Sequence, residues 1–246
     1  MVRQTLTRFQ LFKLATLFQG GVLLLGLLIA WLVGINLADV WTWSEEAILR
    51  GVLATIPMLI VFGVTEWFDW DPFSRIRTFL NDTLGPVIVR CTIWELLYLA
   101  FLAGISEEIL FRGAIQNSLV LWSLAGGVLI TNLLFGICHA FSQAYFVLAT
   151  AAGFYLSWVA GWHDQNLLPA VLAHTLYDFA ALLFIRWDAA REIGSSLPAG
   201  TGIDAEASKS RDVESSSSVS EQEPGEDSIH NSPDPVPEIG ESGENG

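Results

Sequence analysis

The sequence predicts an all-α protein, a polytopic membrane helical bundle of about six transmembrane helices followed by a disordered acidic C-terminal tail. Three observations lead there. Of the 246 residues, 52% are hydrophobic and 15% charged, with a mean hydropathy of +0.47, which is too oily for a soluble domain of this size. Apolar stretches recur at close to the ~20 residues needed to cross hydrocarbon. The net charge of -14 is concentrated at one end: from Ser195 onward there are twelve acids against two bases, and before it fourteen against ten.

Residues 1–84 are read as N-terminal transmembrane helices and an interfacial segment. Arg3, Arg8 and Lys13 precede a first span over residues 14–37. The apolar run has no Ala-x-Ala exit and is too long for a signal core, so it reads as a retained span. A connection carrying Asp39, Glu45 and Glu46 leads to a second span over 49–66. Residues 67–85 then mix Asp69, Asp71, Pro72, Arg75, Arg77 and Asp82 with Trp67, Phe68, Trp70, Phe73 and Phe79, a pattern that fits a surface-lying amphipathic segment.

Residues 85–194 are read as the catalytic membrane core, with spans over 87–105, 119–139, 144–162 and 167–185. The short linkers after His139 and Trp162 make the last three antiparallel neighbours. Glu95, in the third of the six spans, is expected to pair with Arg90 rather than face a cavity. The basic flanks Arg75, Arg77, Arg186 and Arg191 place both termini in the cytoplasm if the span count is even. Trp41, Trp43, Trp67, Trp70, Trp162 and Trp187 fall near span ends, as an aromatic belt requires.

Residues 195–246 contain the run Ser215–Ser218 and no aromatic residue, so they bury too little surface to offset the entropy of ordering. A solvated extension is the simpler reading, and an unknown partner for the acidic tail the other. Cys91 and Cys138 offer neither a disulfide framework nor zinc-finger spacing and read as small buried hydrophobes. His163, in a short polar turn, reads as solvated. The acidic balance, with no phosphate-binding Gly-rich loop, argues against nucleic acid as a partner.

The chemistry sits in three polar interruptions of this oily sequence. Glu107, Glu108 and Arg112 form the first, Phe135 and His139 the second, His174 and Asp178 the third. Ionisable residues at membrane depth are costly and mark functional sites. Glu108 and Arg112 are four apart, acid first, so on a helix they face each other. Glu107 points about 100° away from Glu108, and in a cavity it suits a general base for water. His139 and His174 are expected to converge on it, since a neutral imidazole can bind metal, pass a proton or donate to an oxyanion. Asp178 shares a helical face with His174, Phe135 packs beneath the site, and Asn132 is a supporting residue on the His139 helix. Any one segment is as readily structural; three on separate helices point to one functional site.

In order and spacing, Glu-Glu-x-x-x-Arg at 107–112, Phe-x-x-x-His at 135–139 and His-x-x-x-Asp at 174–178 resemble the motif set of the CPBP family of intramembrane proteases, which includes type II CAAX prenyl proteases and Abi-like bacteriocin-processing enzymes. The resemblance covers about residues 85–186. It implies a helical core with a conical cavity open to the cytosol and the bilayer. Glu107, His139, His174 and Asp178 would be catalytic, with Glu107 activating water, His139 assisting, and His174 and Asp178 stabilising an oxyanion or holding a metal. Ionised Asp178 donates no hydrogen bond, which favours metal binding or orientation of His174. A divalent metal, zinc foremost, is expected on His139, His174 and Asp178, although a metal-free glutamate mechanism needs the same residues and no His-Glu-x-x-His zinc helix is present.

The expectation is an intramembrane endopeptidase that uses a glutamate-activated water, with or without a metal, on membrane-associated protein or peptide substrates. The competing reading is a non-proteolytic membrane scaffold or immunity-type partner protein. A bacterial inner membrane or a plastid-type membrane suits the topology.

Overall fold

The computed structural model describes residues 6–68, 71–161 and 165–196. The expectations for Asp69, Trp70, Trp162, His163 and the tail beyond 196 lie outside the described residues. Among the described residues the secondary structure is helical: α1 (Arg8–Val33), α2 (Glu45–Trp67), α3 (Asp71–Ile88), α4 (Ile93–Glu108), a π-helical segment (Ile109–Gln116), α5 (Asn117–Val120), α6 (Leu124–Cys138), α7 (Gln143–Ala160) and α8 (Leu167–Ser196).

Four helices are long and apolar enough to cross a membrane: α1, α2, α7 and the Leu167–Glu192 part of α8. The shorter apolar α6 and the continuous rod of α4, π segment and α5 account for the two other expected spans. The chain is an integral, multi-pass membrane protein. Leu17, Leu24, Trp31, Ile60 and Trp158 are exposed on the spans, the arrangement lipid permits because acyl chains are as apolar as leucine.

Local side chains set the helix ends, and they shift several expected boundaries. α1 begins at Arg8 rather than 14 because Thr7 and Gln10 form a reciprocal capping box, satisfying two of the otherwise unpaired N–H groups of the first turn. It ends at Gly34, whose φ of 77° is the left-handed cap that glycine adopts without penalty. Ser44, Ser123 and Ser142 N-cap α2, α6 and α7, each hydroxyl accepting from a backbone N–H of the first turn.

The expected third span is displaced. The amphipathic α3 runs on to Ile88, the chain breaks at Val89–Thr92, and α4 starts at Ile93 with Thr92 as cap. Glu95 is structural, as expected, but its partners differ: it closes the Thr92 capping box and pairs with Arg8 of α1, not with Arg90. The first turn of the rod therefore anchors the start of α1, a contact between residues far apart in sequence.

Close approach holds the bundle together. α8 packs against α2, α3, α4 and α7, and α1 lies along α4 and the π segment. A Cβ on Gly26 of α1 would stand 2.9 Å from Leu110 Cα, so only glycine allows α1 to sit on the π segment. Small residues at such crossings are the membrane substitute for a hydrophobic driving force.

Candidate active site

The π segment begins immediately after Glu108, where the rod widens from i→i+4 to i→i+5 pairing. Such segments recur at functional sites. Here it turns Phe111, Arg112 and Gln116 into the protein interior, where all three are buried. α6 brings Asn132, Phe135 and His139, α7 brings Gly153 and Ser157, and α8 brings His174 and Asp178.

The neighbouring glutamates part company. Glu108 is wholly buried, and its Oε1 accepts from Arg112 Nη1 at 2.8 Å and from His174 Nδ1 at 2.9 Å. Arg112, also wholly buried, donates from Nη2 to the Gly153 carbonyl at 2.9 Å and toward Asn132 Oδ1 at 3.4 Å, and its guanidinium lies 4.6 Å over the Phe135 ring. The network continues through Asn132 Nδ2 to Ser157 Oγ at 2.9 Å and from Ser157 Oγ to Gln116 Oε1 at 2.7 Å. A buried charge pair gains only when further hydrogen bonds satisfy it; this chain of polar groups from four elements does so for Glu108 Oε1 and both Arg112 Nη atoms, and leaves Glu108 Oε2 and Arg112 Nε without partners.

Glu107 faces a different set. Its Oε1 accepts from Gln19 Nε2 of α1 at 2.9 Å, and its Oε2 stands 3.5 Å from His139 Nε2. That second separation is longer than a hydrogen bond, and Oε2 makes none. His139 Nδ1 is 2.7 Å from the Phe135 carbonyl. A carbonyl only accepts, so Nδ1 carries a proton, and the neutral imidazole then presents the Nε2 lone pair toward Glu107. Unlike Glu108, the Glu107 side chain keeps 12% of its surface accessible, and His139 keeps 23%.

His139 and His174 do not converge on one carboxylate as expected. His139 meets Glu107, whereas His174 bridges Glu108 and, through Nε2 at 3.5 Å, Asp178 Oδ2. Phe135 lies between the two imidazoles, with ring centroids 4.4 Å from His139 and 6.1 Å from His174, and it packs edge-on against Phe111. Its expected place beneath the site is where it stands.

The same split bears on a metal. The donors form two separate pairs, His139 with Glu107 and His174 with Asp178, and among the described residues no three His, Cys, Asp or Glu side chains group as a metal would need. His139, His174 and Asp178 therefore do not fit a divalent cation as a three-ligand cage in this arrangement. Cys138, beside His139, is exposed rather than buried as expected, while Cys91 is buried.

A cavity of about 410 Å³ opens beside these groups, bounded by α1, α2, α3, α4, α7 and α8. Gln19, Tyr145 and Asp178 line its polar side, and Phe62, Leu84 and Leu182 its apolar walls. Gln19, Gln116, Tyr145 and Ser157 escaped the sequence reading. Gln19 did leave a trace, a lone amide within an apolar span beside Gly20 and Gly21; the others join the site only through contacts between elements. α1, read from sequence as outside the core, contributes to it.

Against known proteins, residues 89–180 match the family model described as type II CAAX prenyl endopeptidase Rce1-like. The chain is 26% identical over 145 residues to the uncharacterized protein YpbD of Bacillus subtilis, an alignment covering 56% of this chain and 68% of that one. No solved structure gives a significant match. The matched segment contains every motif residue from Glu107 to Asp178.

Proposed function

We propose, from the match of residues 89–180 to the Rce1-like family of type II CAAX prenyl endopeptidases, that this integral membrane protein is an endopeptidase which hydrolyses membrane-associated proteins or peptides with a water activated by Glu107. The observation that carries the reading is the contrast between a wholly buried, ion-paired Glu108 and a Glu107 that is set against His139 and keeps 12% of its side-chain surface accessible.

Glu107 takes a proton from water as the water oxygen attacks the peptide carbonyl, and the carbonyl's π electrons move to its oxygen. The proton reaches the departing amine as the C–N bond breaks, with His139 Nε2, 3.5 Å from Glu107, as the relay. Catalytic hydrogen bonds that are long without substrate tighten in the complex. Glu108 and Arg112 hold His174 in place, and His174 in turn orients Asp178. A peptide carrying a prenyl group is the substrate class that the family description suggests, and the cavity's apolar walls suit such a chain. The basic flanks favour both termini on the cytoplasmic side of a bacterial inner membrane or a plastid-type membrane.

The test is cleavage of a farnesylated CAAX peptide and of a membrane-peptide library by the full chain reconstituted in lipid, comparing wild type with Glu107→Ala and His139→Ala. Loss of cleavage in both variants is expected. Equal cleavage by all three would end the protease reading in favour of a scaffold or immunity-type role. Metal content of the same samples decides the cofactor: full activity without a bound divalent ion rules a metal out.

A further inference from the structure

In the tetrahedral step that the proposed reaction requires, charge develops on the carbonyl oxygen and needs a donor. The motif residues are poor in donors there. Asp178, when ionised, only accepts, His174 Nδ1 is committed to Glu108, and His174 Nε2 stands 3.5 Å from Asp178 Oδ2. Gln19 Nε2 already gives one of its two N–H groups to Glu107.

Tyr145 fills the deficit. It stands in the first turn of α7, where its backbone N–H donates to Ser142 Oγ at 3.1 Å, so the capped helix start fixes its position. Its ring centroid lies 6.3 Å from that of His139 and 5.8 Å from that of Phe141, so two rings from the end of the histidine helix brace it. Its side chain lines the cavity together with Asp178 and Gln19. The phenol oxygen makes no hydrogen bond among the described residues, although a tyrosine hydroxyl inside a protein ordinarily finds a partner. A fixed ring, a free hydroxyl and an open cavity shared with Asp178 and with Gln19, the hydrogen-bond partner of Glu107, together specify a group that waits for a ligand oxygen.

We propose that Tyr145 is a catalytic residue whose hydroxyl donates a hydrogen bond to the carbonyl oxygen of the scissile peptide, strengthening as that oxygen becomes an oxyanion. Tyr145 keeps its proton throughout; the proton from water goes to Glu107 and then to the leaving amine. A donor aimed at developing charge in a water-poor site stabilises the transition state more than the ground state. The inference rests on the endopeptidase reading above and adds one residue, outside the motif set, to its site.

The test uses the full chain in lipid vesicles, a farnesylated CAAX peptide as substrate and the matching peptide aldehyde, whose hydrate mimics the tetrahedral intermediate. Tyr145→Phe keeps the ring and removes only the hydroxyl. The expected result is a fall in kcat of about 10²–10³, the cost of one lost oxyanion donor, with KM within about twofold, and a parallel loss of affinity for the aldehyde but not for the product peptide. A purely structural tyrosine would not move the aldehyde and product affinities apart. Wild-type kcat and aldehyde affinity in Tyr145→Phe, or equal loss of affinity for aldehyde and product, would overturn the role of Tyr145 while leaving the endopeptidase reading intact. Wild-type cleavage no faster than Glu107→Gln would overturn both.

Discussion

Two polar regions meet at the end of α4, and one peptide bond separates their carboxylates. On the interior side, Glu108, Arg112, Asn132, Ser157 and Gln116 are fully buried and bound to one another. On the cavity side, Glu107, His139 and Asp178 keep part of their surface accessible and stand in looser contact. The first region is a hydrogen-bonded network that ties four helical elements together, with Glu108 Oε2, Arg112 Nε and Gln116 Nε2 left unpartnered; the second is looser and partly accessible. Stability and chemistry are thus divided between adjacent residues, and substitutions should separate them.

The largest expected effect is on the interior side. Arg112→Met leaves Glu108 as a buried charge without its counter-ion, which costs about 3–5 kcal/mol. Thermal unfolding in detergent should show a strongly lowered Tm or no folded fraction. A Tm within a degree or two of wild type would mean that the network is not what fixes the bundle.

On the cavity side, His139→Ala removes the proton relay facing Glu107. Cleavage should fall about 10²–10⁴-fold, the usual range for a general acid–base group, while Tm stays close to that of wild type. A matched loss of Tm and activity would place His139 with the interior residues instead.

Gln19→Ala is a milder probe: it removes one hydrogen bond to a charged group, worth about 1.5–3 kcal/mol, and the bond that Gln19 Oε1 accepts from Ser106 Oγ at 2.6 Å, whose hydroxyl keeps backbone acceptors in its own helix. A fall in kcat of roughly tenfold is expected, with little change in Tm, because Gln19 positions one oxygen of Glu107 and nothing in the buried network. An unaltered kcat would remove α1 from the site. The smallest effect belongs to deletion of residues 197–246, whose composition offers no core. Cleavage and Tm of the shortened protein should match the full chain, and an inactive but folded truncation would assign the segment a catalytic part.

The three motif spacings were legible in the sequence because each pairs side chains one helical turn apart, and local periodicity determines those neighbours. Glu108 with Arg112 and His174 with Asp178 stand together for that reason. The allocation of each histidine to a carboxylate was not legible, since it depends on how α6 and α8 pack against α4. Arg8 with Glu95 and Gln19 with Glu107 span 87 and 88 residues, beyond the reach of any local pattern. The π segment left no signal either: residues 109–116 are apolar apart from Arg112 and Gln116, and a wider turn has no distinct composition. Apolar length marked the spans well, but capping serines and threonines set where they begin.

The comparison is tested most directly by placing Glu107→Gln and Glu108→Gln side by side in lipid, with cleavage of the farnesylated peptide and thermal unfolding read on the same samples. Glu107→Gln should lower kcat at least about 10²-fold and leave Tm within a degree or two of wild type, whereas Glu108→Gln should lower Tm clearly. Wild-type turnover in Glu107→Gln, or an unchanged Tm in Glu108→Gln, would contradict the division of labour between the two glutamates.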